Sequence, residues 1–300
     1  MARPPLIFDR ALLQSRRLRA WQQHGKDADF LLSHVCQDMA ERLSIVLREF
    51  PMVLELGGHT GQLAEMILGR EGTSQIFRQE HNCAFLHGAG QTNSAPILPL
   101  VADEEALPIA PQSMDLILSP LNLQWVNDLP GSLFQIRNSL KPDGLFLATL
   151  LGNESLKELR TSFLQAEAEL TDGVSPRIAP FPELKDMGSL LQRAGFSLPV
   201  ADQDIVTVRY GSMFSLMADL RKMGATNCLA DRSRAPLRRD VLMRTAEIYL
   251  SDFADSDGKI RASFQIVSIS GWAPHESQQK PLKPGSAQTH FSKILKDKSS

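Results

Sequence analysis

The amino-acid sequence predicts an α/β protein: an open, mostly parallel sheet with helices on both faces and a helical C-terminal insertion. Three observations carry this. Short apolar runs alternate with amphipathic stretches through the first half of the chain, the rhythm of a parallel sheet with crossover helices. The first such run ends in a glycine-rich turn, Gly57-Gly58-His59-Thr60-Gly61, which leads directly into a helical stretch. The composition, 43% hydrophobic and 22% charged over 300 residues, is that of a globular chain able to bury a substantial core.

Residues 1–50 read as an N-terminal arm and a helix. The arm holds Ile7-Phe8-Asp9-Arg10 and a run with Arg16, Arg17 and Arg19 that ends at Trp21. That run reads as a solvated helix face or as a docking arm for a partner. From Asp29 to Arg48, apolar residues at Leu32, Val35, Met39, Leu43 and Val46 recur at steps of three and four, one face of a helix.

Residues 51–151 read as the ligand-binding core. Met52 to Leu56 is a buried parallel strand and Gln62 to Leu68 a helix. Ser74 to Arg78, with Glu80 at its end, is a second strand. Pro96 to Val101 is a third, and Pro99 places it at a sheet edge because proline cannot donate to the ladder. Met114 to Ser119 and Leu145 to Leu150 are the fourth and fifth, with a helix over Leu129 to Leu140 and a turn at Leu140-Lys141-Pro142-Asp143-Gly144. Residues 152–273 become more helical and are expected to form a lid: helices over Glu154 to Leu170, Pro182 to Ala194, Ser212 to Met223 and Arg239 to Phe253, and strands over Asp204 to Tyr210 and Ser263 to Ile269. Residues 274–300 are a polar tail expected to pack little.

Bulk properties exclude several classes. A net charge of −2 gives no general attraction to nucleic acid or anionic membrane. No apolar run reaches the ~18 residues of a membrane span. The 3 cysteines, Cys36, Cys83 and Cys228, are scattered and form no C-x-x-C pair, so a disulfide framework or zinc site is not expected, and a cytoplasmic setting fits. No metal is expected.

The chemistry sits at the carboxyl ends of the strands, where open α/β sheets bind ligands. At the turn, glycines let backbone N–H groups approach a ligand. Gly57, Gly58 and Gly61 do not make the dinucleotide pattern G-x-G-x-x-G. With Glu55 they are closer to the E/D-x-G-x-G-x-G turn of class I methyltransferases, a Rossmann-like fold in which the turn wraps the methionine part of S-adenosylmethionine. His59 stands where that pattern has its middle glycine. Glu80 reads as an acceptor for both ribose hydroxyls of an adenosine, or as a plain surface glutamate. Asp103 and Glu104, in Ala102-Asp103-Glu104-Glu105, read as the loop that meets the adenine, or as a solvated acidic loop. Trp125 is either core or the wall of a substrate pocket.

The chain also resembles a particular family, the methyltransferase-fold assembly factors of respiratory complex I, mitochondrial proteins with bacterial counterparts. The resemblance runs from Ile7 to about Ala287. It rests on Leu100-Val101-Ala102-Asp103-Glu104-Glu105, Trp125-Val126-Asn127-Asp128-Leu129-Pro130 and Leu140-Lys141-Pro142-Asp143-Gly144. Farther on it includes Met213-Phe214-Ser215-Leu216-Met217-Ala218-Asp219-Leu220, Met223-Gly224, Asn227-Cys228 and Gly271-Trp272-Ala273-Pro274-His275-Glu276-Ser277-Gln278, outside the core that methyltransferases share. The resemblance implies modification of an arginine on the complex I iron–sulfur subunit, with hydroxylation rather than methyl transfer as the chemistry, and peripheral attachment to the inner membrane through that partner. A more general relative, the malonyl-carrier-protein O-methyltransferase, is similar at Leu123-Gln124-Trp125.

Three readings follow. The first is an S-adenosylmethionine-dependent enzyme modifying a protein. The second is a carboxyl O-methyltransferase of a malonyl-carrier-protein type. The third is a non-catalytic assembly factor with a degenerate cofactor site. Methyl transfer needs no general base, since the sulfonium supplies the electrophile. Hydroxylation calls for an oxygen-activating centre, often two histidines and a carboxylate on iron. The adjacent pair His275-Glu276 does not supply one, because neighbours in an extended chain point apart. His59 and His81 lie near the turn. No catalytic residue is assigned.

Overall fold

In a computed structural model, residues 6–25, 29–86 and 96–279 are described. The strands are β1 (Met52–Leu56), β2 (Gln75–Glu80), β3 (Ile97–Val101), β4 (Met114–Pro120), β5 (Leu140–Leu151), β6 (Ser197–Tyr210) and β7 (Ile260–Trp272). The helices are α1 (Arg10–His24), α2 (Phe30–Ser44), α3 (Gln62–Ile67), α4 (Leu129–Ser139), α5 (Lys157–Leu170), α6 (Leu184–Arg193), α7 (Met213–Lys222) and α8 (Arg239–Phe253). All seven strands join one sheet in the order β3-β2-β1-β4-β5-β7-β6. The first five are parallel, and β7 runs antiparallel to both β5 and β6. β3 lies at the edge, so Pro99 removes no ladder hydrogen bond.

Residues alternate between two cores. On β1 and β4, Val53, Leu116 and Leu118 face one core with α2, α3 and α5, while Leu54, Leu56 and Ile117 face the other with α4 and α6. The period of two is what allows a parallel strand to be apolar on both sides. α1, α2 and α4 start where the sequence offers caps: Asp9, Asp29 and Asp128 accept from the N–H groups of Leu12, Leu32 and Gly131. α6 stops before Gly195, whose φ of +88° fits only glycine comfortably.

Four expectations are corrected. The strands predicted over residues 204–210 and 263–269 are longer, and they extend the central sheet rather than joining a lid. The stretch at Leu140-Lys141-Pro142-Asp143-Gly144 is the first part of β5, with the extra residues absorbed in a register shift opposite Met114 and Leu116. α5 starts at Lys157, not Glu154, because Leu156 takes a left-handed conformation as its N–H donates to Ser263 of β7. The arginine run of α1 is a solvated face only at Arg19, which is exposed: Arg17 is buried, and Arg16 donates to the Asn227 carbonyl. No helix among the described residues is long and apolar enough to cross a membrane. Of the polar tail, residues 280–300 lie outside the described residues.

Candidate cofactor-binding site

β1 delivers Glu55 to the glycine-rich turn with no exposure, and its carboxylate accepts from the Ala64 N–H at the start of α3. The glycines are required by the protein's own side chains. A Cβ on Gly57 would lie 2.1 Å from the Asn122 amide, one on Gly58 2.2 Å from the Glu55 carboxyl carbon, and one on Gly61 2.7 Å from the Arg78 guanidinium. Gly57 and Gly61 also have φ of +63° and +77°.

His59 takes φ of +50° in place of a glycine. Two contacts hold this unusual backbone: its N–H donates to Glu80, and its carbonyl accepts from Arg78 at 2.6 Å. The ring is buried between Phe85, 4.8 Å away, and Trp21 of α1, 6.2 Å away, with Nδ1 3.5 Å from Asp29. Burial lowers the imidazole's pKa, an effect Asp29 only partly offsets.

Glu80 closes β2 and is 2% exposed, so it is not a surface glutamate. Burial pushes its carboxyl pKa up to about 8, against the pull of Arg78 and Arg17. Burial likewise raises Glu55 to about 7, against Arg78. Asp103 and Glu104 sit in the loop after β3. Arg10 of α1 pairs with Asp103 at 2.6 Å, with Glu105 at 3.1 Å and with Glu104. Glu104 is buried and accepts from Asn122 Nδ2 at 2.9 Å, while Asn122 Oδ1 accepts from Arg17 at 3.1 Å.

The structure thus gathers Glu55, Gly57, Gly58, Gly61, Glu80, Asp103 and Glu104 at the carboxyl ends of β1, β2 and β3. It adds residues the sequence reading did not select: Arg10, Arg17 and Trp21 from α1, Asp29, Asn122 and Arg78. A signal for Arg17 exists, since Leu13, Arg17 and Ala20 are spaced four and three apart and all are buried.

These residues fit S-adenosylmethionine. His59 Nε2 and Gln79 Oε1 are buried at the turn and the end of β2 without a hydrogen-bond partner, while Glu55 Oε2 and Arg78 Nε face each other at 3.7 Å as an ion pair, so two unmet polar groups remain for a polar ligand. Glu80 would take the ribose, the turn the methionyl part, and the Asp103-Glu104 loop the adenine. Bound there, the cofactor supplies an electrophilic methyl group.

His81, Asp103 and Glu104 bring ligand atoms within 4.8 Å of one another, a metal-type grouping among the described residues. Arg10 already neutralises both carboxylates, so a cation would have to displace it. His275 and Glu276 are exposed, with His275 Nδ1 bonded to Ser277.

A separate cavity of about 280 Å³, which none of these site residues lines, opens between α5, α7 and the segment before α8. Trp125 lines it while packing edge-on against Phe8 and Phe181, so the residue is both core and pocket wall. The lining is mostly apolar, with Arg16, Arg177 and Arg221 as its charged members.

Comparison with known proteins decides the family. The chain is 39% identical over 97% of its length, and 90% of the relative's, to "Arginine-hydroxylase NDUFAF5, mitochondrial" of Danio rerio. The human protein of that name is 39% identical over 97% of this chain and 84% of its own length. The chain belongs to the NDUFAF5 arginine-hydroxylase family. Its core, residues 54–148, matches the family described as "Methyltransferase domain". A malonyl-[acyl-carrier protein] O-methyltransferase of Xylella fastidiosa is 33% identical over 86% of this chain and 87% of its own. Among solved structures, the YcgJ protein of Bacillus subtilis superposes with a TM-score of 0.57 at 13% identity, covering 81% of this chain and 99% of that one. Phosphoethanolamine N-methyltransferase 2 of Haemonchus contortus, solved with S-adenosylhomocysteine, gives 0.53 at 14% identity over 88% of this chain and 61% of its own. Both likenesses concern the fold alone, and they agree with the family: a class I, Rossmann-like methyltransferase fold.

Proposed function

We propose that this protein binds S-adenosylmethionine at the glycine-rich turn and modifies an arginine of a protein, the iron–sulfur subunit of respiratory complex I, as an aid to complex I assembly. One observation carries the reading: identity to the arginine-hydroxylase relatives runs through 97% of the chain, far beyond the methyltransferase core at residues 54–148. A cytoplasmic location, with attachment to the inner membrane only through that partner, belongs to the same proposal. So does the division into an N-terminal arm and helix over residues 1–50, a cofactor-binding core over 51–151, a region over 152–273 whose helices form a lid, and a polar tail over 274–300.

Mass spectrometry of the iron–sulfur subunit from a deletion strain tests it. The expected result is loss of one modification from one arginine. A mass difference of one oxygen atom assigns hydroxylation, and one of a methylene assigns methyl transfer. An arginine unchanged between wild-type and deletion strains overturns the reading.

The cavity supports a second reading. Of the charged lining, Arg177 is paired with the buried Glu167, which leaves Arg16 and Arg221; a guanidinium is a poor match for such a pocket, whereas a carboxylate on an apolar chain suits it. With the O-methyltransferase relatives, this favours carboxyl methyl transfer to an acyl group on a carrier protein. Labelled methyl appearing on malonyl-carrier protein would establish that reading, and no transfer would remove it.

A further inference from the structure

Arg17 is a buried arginine without a salt bridge among the described residues, although its charge is felt by Glu80. It lies on α1, 8% exposed, and its guanidinium reaches the Asn122 amide at 3.1 Å. Among the described residues no carboxylate comes within ion-pair distance of it, although Arg10, two turns earlier on the same helix, pairs with three. A buried cation that lacks a counter-ion is costly to keep. The cost has a purpose where a ligand brings the missing charge.

The place of Arg17 says which charge. Asn122, its partner, is packed so closely on Gly57 that a Cβ there would overlap the amide. Gly57 is the first glycine of the turn. The guanidinium therefore stands over the turn, between α1 and the loop that follows β4. Trp21, one turn along, closes the same helix onto His59, the third residue of the turn. Glu80, at the end of β2, marks the other end of the site. S-adenosylmethionine has one anionic group, the carboxylate of its methionyl part, and that part belongs at the glycine turn when the ribose is on Glu80.

We infer that Arg17 is the counter-ion for the methionyl carboxylate of the cofactor, and that α1 closes the site by carrying this charge onto the glycine-rich turn. The inference rests on the cofactor reading above and adds to it a residue from outside the shared core. Arginine suits the task because its planar fork can donate to both carboxylate oxygens while a further N–H keeps Asn122.

Calorimetric titration with two ligands tests it. S-adenosylhomocysteine has the carboxylate. Methylthioadenosine keeps the adenosine and the sulfur but lacks it. In Arg17→Gln, affinity for S-adenosylhomocysteine should fall about ten- to hundred-fold, the worth of a charge-assisted hydrogen bond lost from a buried site. Affinity for methylthioadenosine should stay within about threefold of wild type, a change of at most about 0.7 kcal/mol. Arg17→Lys, which retains the charge, should recover part of the loss and serves if the glutamine variant does not fold. Equal weakening of both ligands, or of neither, overturns the assignment and leaves Arg17 a structural anchor for α1. If the wild-type protein binds neither ligand, it is the cofactor reading itself that fails.

Discussion

At the scale of single residues, Glu80 decides how the site responds to pH. Its carboxyl is raised to about 8 by burial, so the free protein holds it protonated at neutral pH. Ribose hydroxyls donate more strongly to a carboxylate than to a carboxylic acid. Ligand binding should therefore ionise Glu80 and release a proton. Affinity for S-adenosylhomocysteine is expected to rise with pH up to about 8 and then level off. Titrations at neutral pH in buffers of different ionisation heat should show the release. Glu80→Gln should bind more weakly and release less. An affinity that does not change from about pH 6 to about pH 9 would remove Glu80 from the ribose site. The same shift has a consequence for stability. Glu55 and Glu80 both have folded values, about 7 and about 8, above the ordinary 4.5. Their contribution is complete below the ordinary value and is lost as pH rises through the folded ones. The ligand-free protein should thus melt at a lower temperature at pH 8 than at pH 6.5, above the range where the lowered pKa of His59 opposes the trend, and Glu80→Gln should flatten that slope.

At the scale of elements, the turn between β1 and α3 shows what two kinds of glycine do. Gly57 needs both its φ of +63° and the space that Asn122 fills. Gly58 has no such φ and needs only the space for Glu55. Gly57→Ala should therefore cost roughly 2–4 kcal/mol, the sum of left-handed strain and overpacking. Gly58→Ala should cost about 1–3 kcal/mol from overpacking alone. Denaturant unfolding of the two variants gives both numbers, and an equal cost would remove the strain from the account. These elements were also the most legible in the sequence, because short apolar runs that end in Gly57, Glu80 and Asp103 carry both the strand signal and the chemistry. β6 and β7 were legible only in part. Asp202, Gln203 and Asp204 are polar residues on an outer strand, and Ser263, Gln265 and Ser268 interrupt the apolar run of β7. Their burial works because partners far away in sequence satisfy them: Gln265 donates to Gln203, and Ser263 donates to Glu158 of α5 at 2.5 Å. The cover from α1 was illegible for a related reason. The spacing of Leu13, Arg17 and Ala20 marks the buried face of α1, but the partners of Arg10, Arg17 and Trp21, namely Glu104, Asn122 and His59, lie on three separate loops, and no local period says what that face meets.

At the scale of the whole molecule, the one sheet ties the cofactor core to everything after it. β7, near the end of the described chain, is inserted between β5 and β6 and pairs with β5 from Leu145 to Leu151. Val267 and Ile269 of β7 are buried in the same core as Leu54 and Leu56 of β1. The N-terminal end is tied in as well: Phe8 bridges to Leu229, and the Asp9 N–H donates to the Cys228 carbonyl. A fragment of residues 1–151 would therefore keep every candidate cofactor residue and yet expose β5 as a long, apolar, unpaired edge. It would also lose the cover of the core that Leu145, Leu147 and Leu151 share with α5, α7 and α8. Such a fragment is expected to aggregate or remain unfolded, showing little near-ultraviolet circular dichroism and no S-adenosylhomocysteine binding. The full chain should unfold in one transition by tryptophan fluorescence and by far-ultraviolet dichroism alike, since Trp125 and Trp272 pack in one of the cores that the sheet spans and Trp21 packs on His59 and Phe85 at its carboxyl edge. A monomeric fragment that binds the ligand would show that residues 1–151 stand as an independent cofactor domain. In that case the C-terminal strands would be an attachment to the site and not a condition for it.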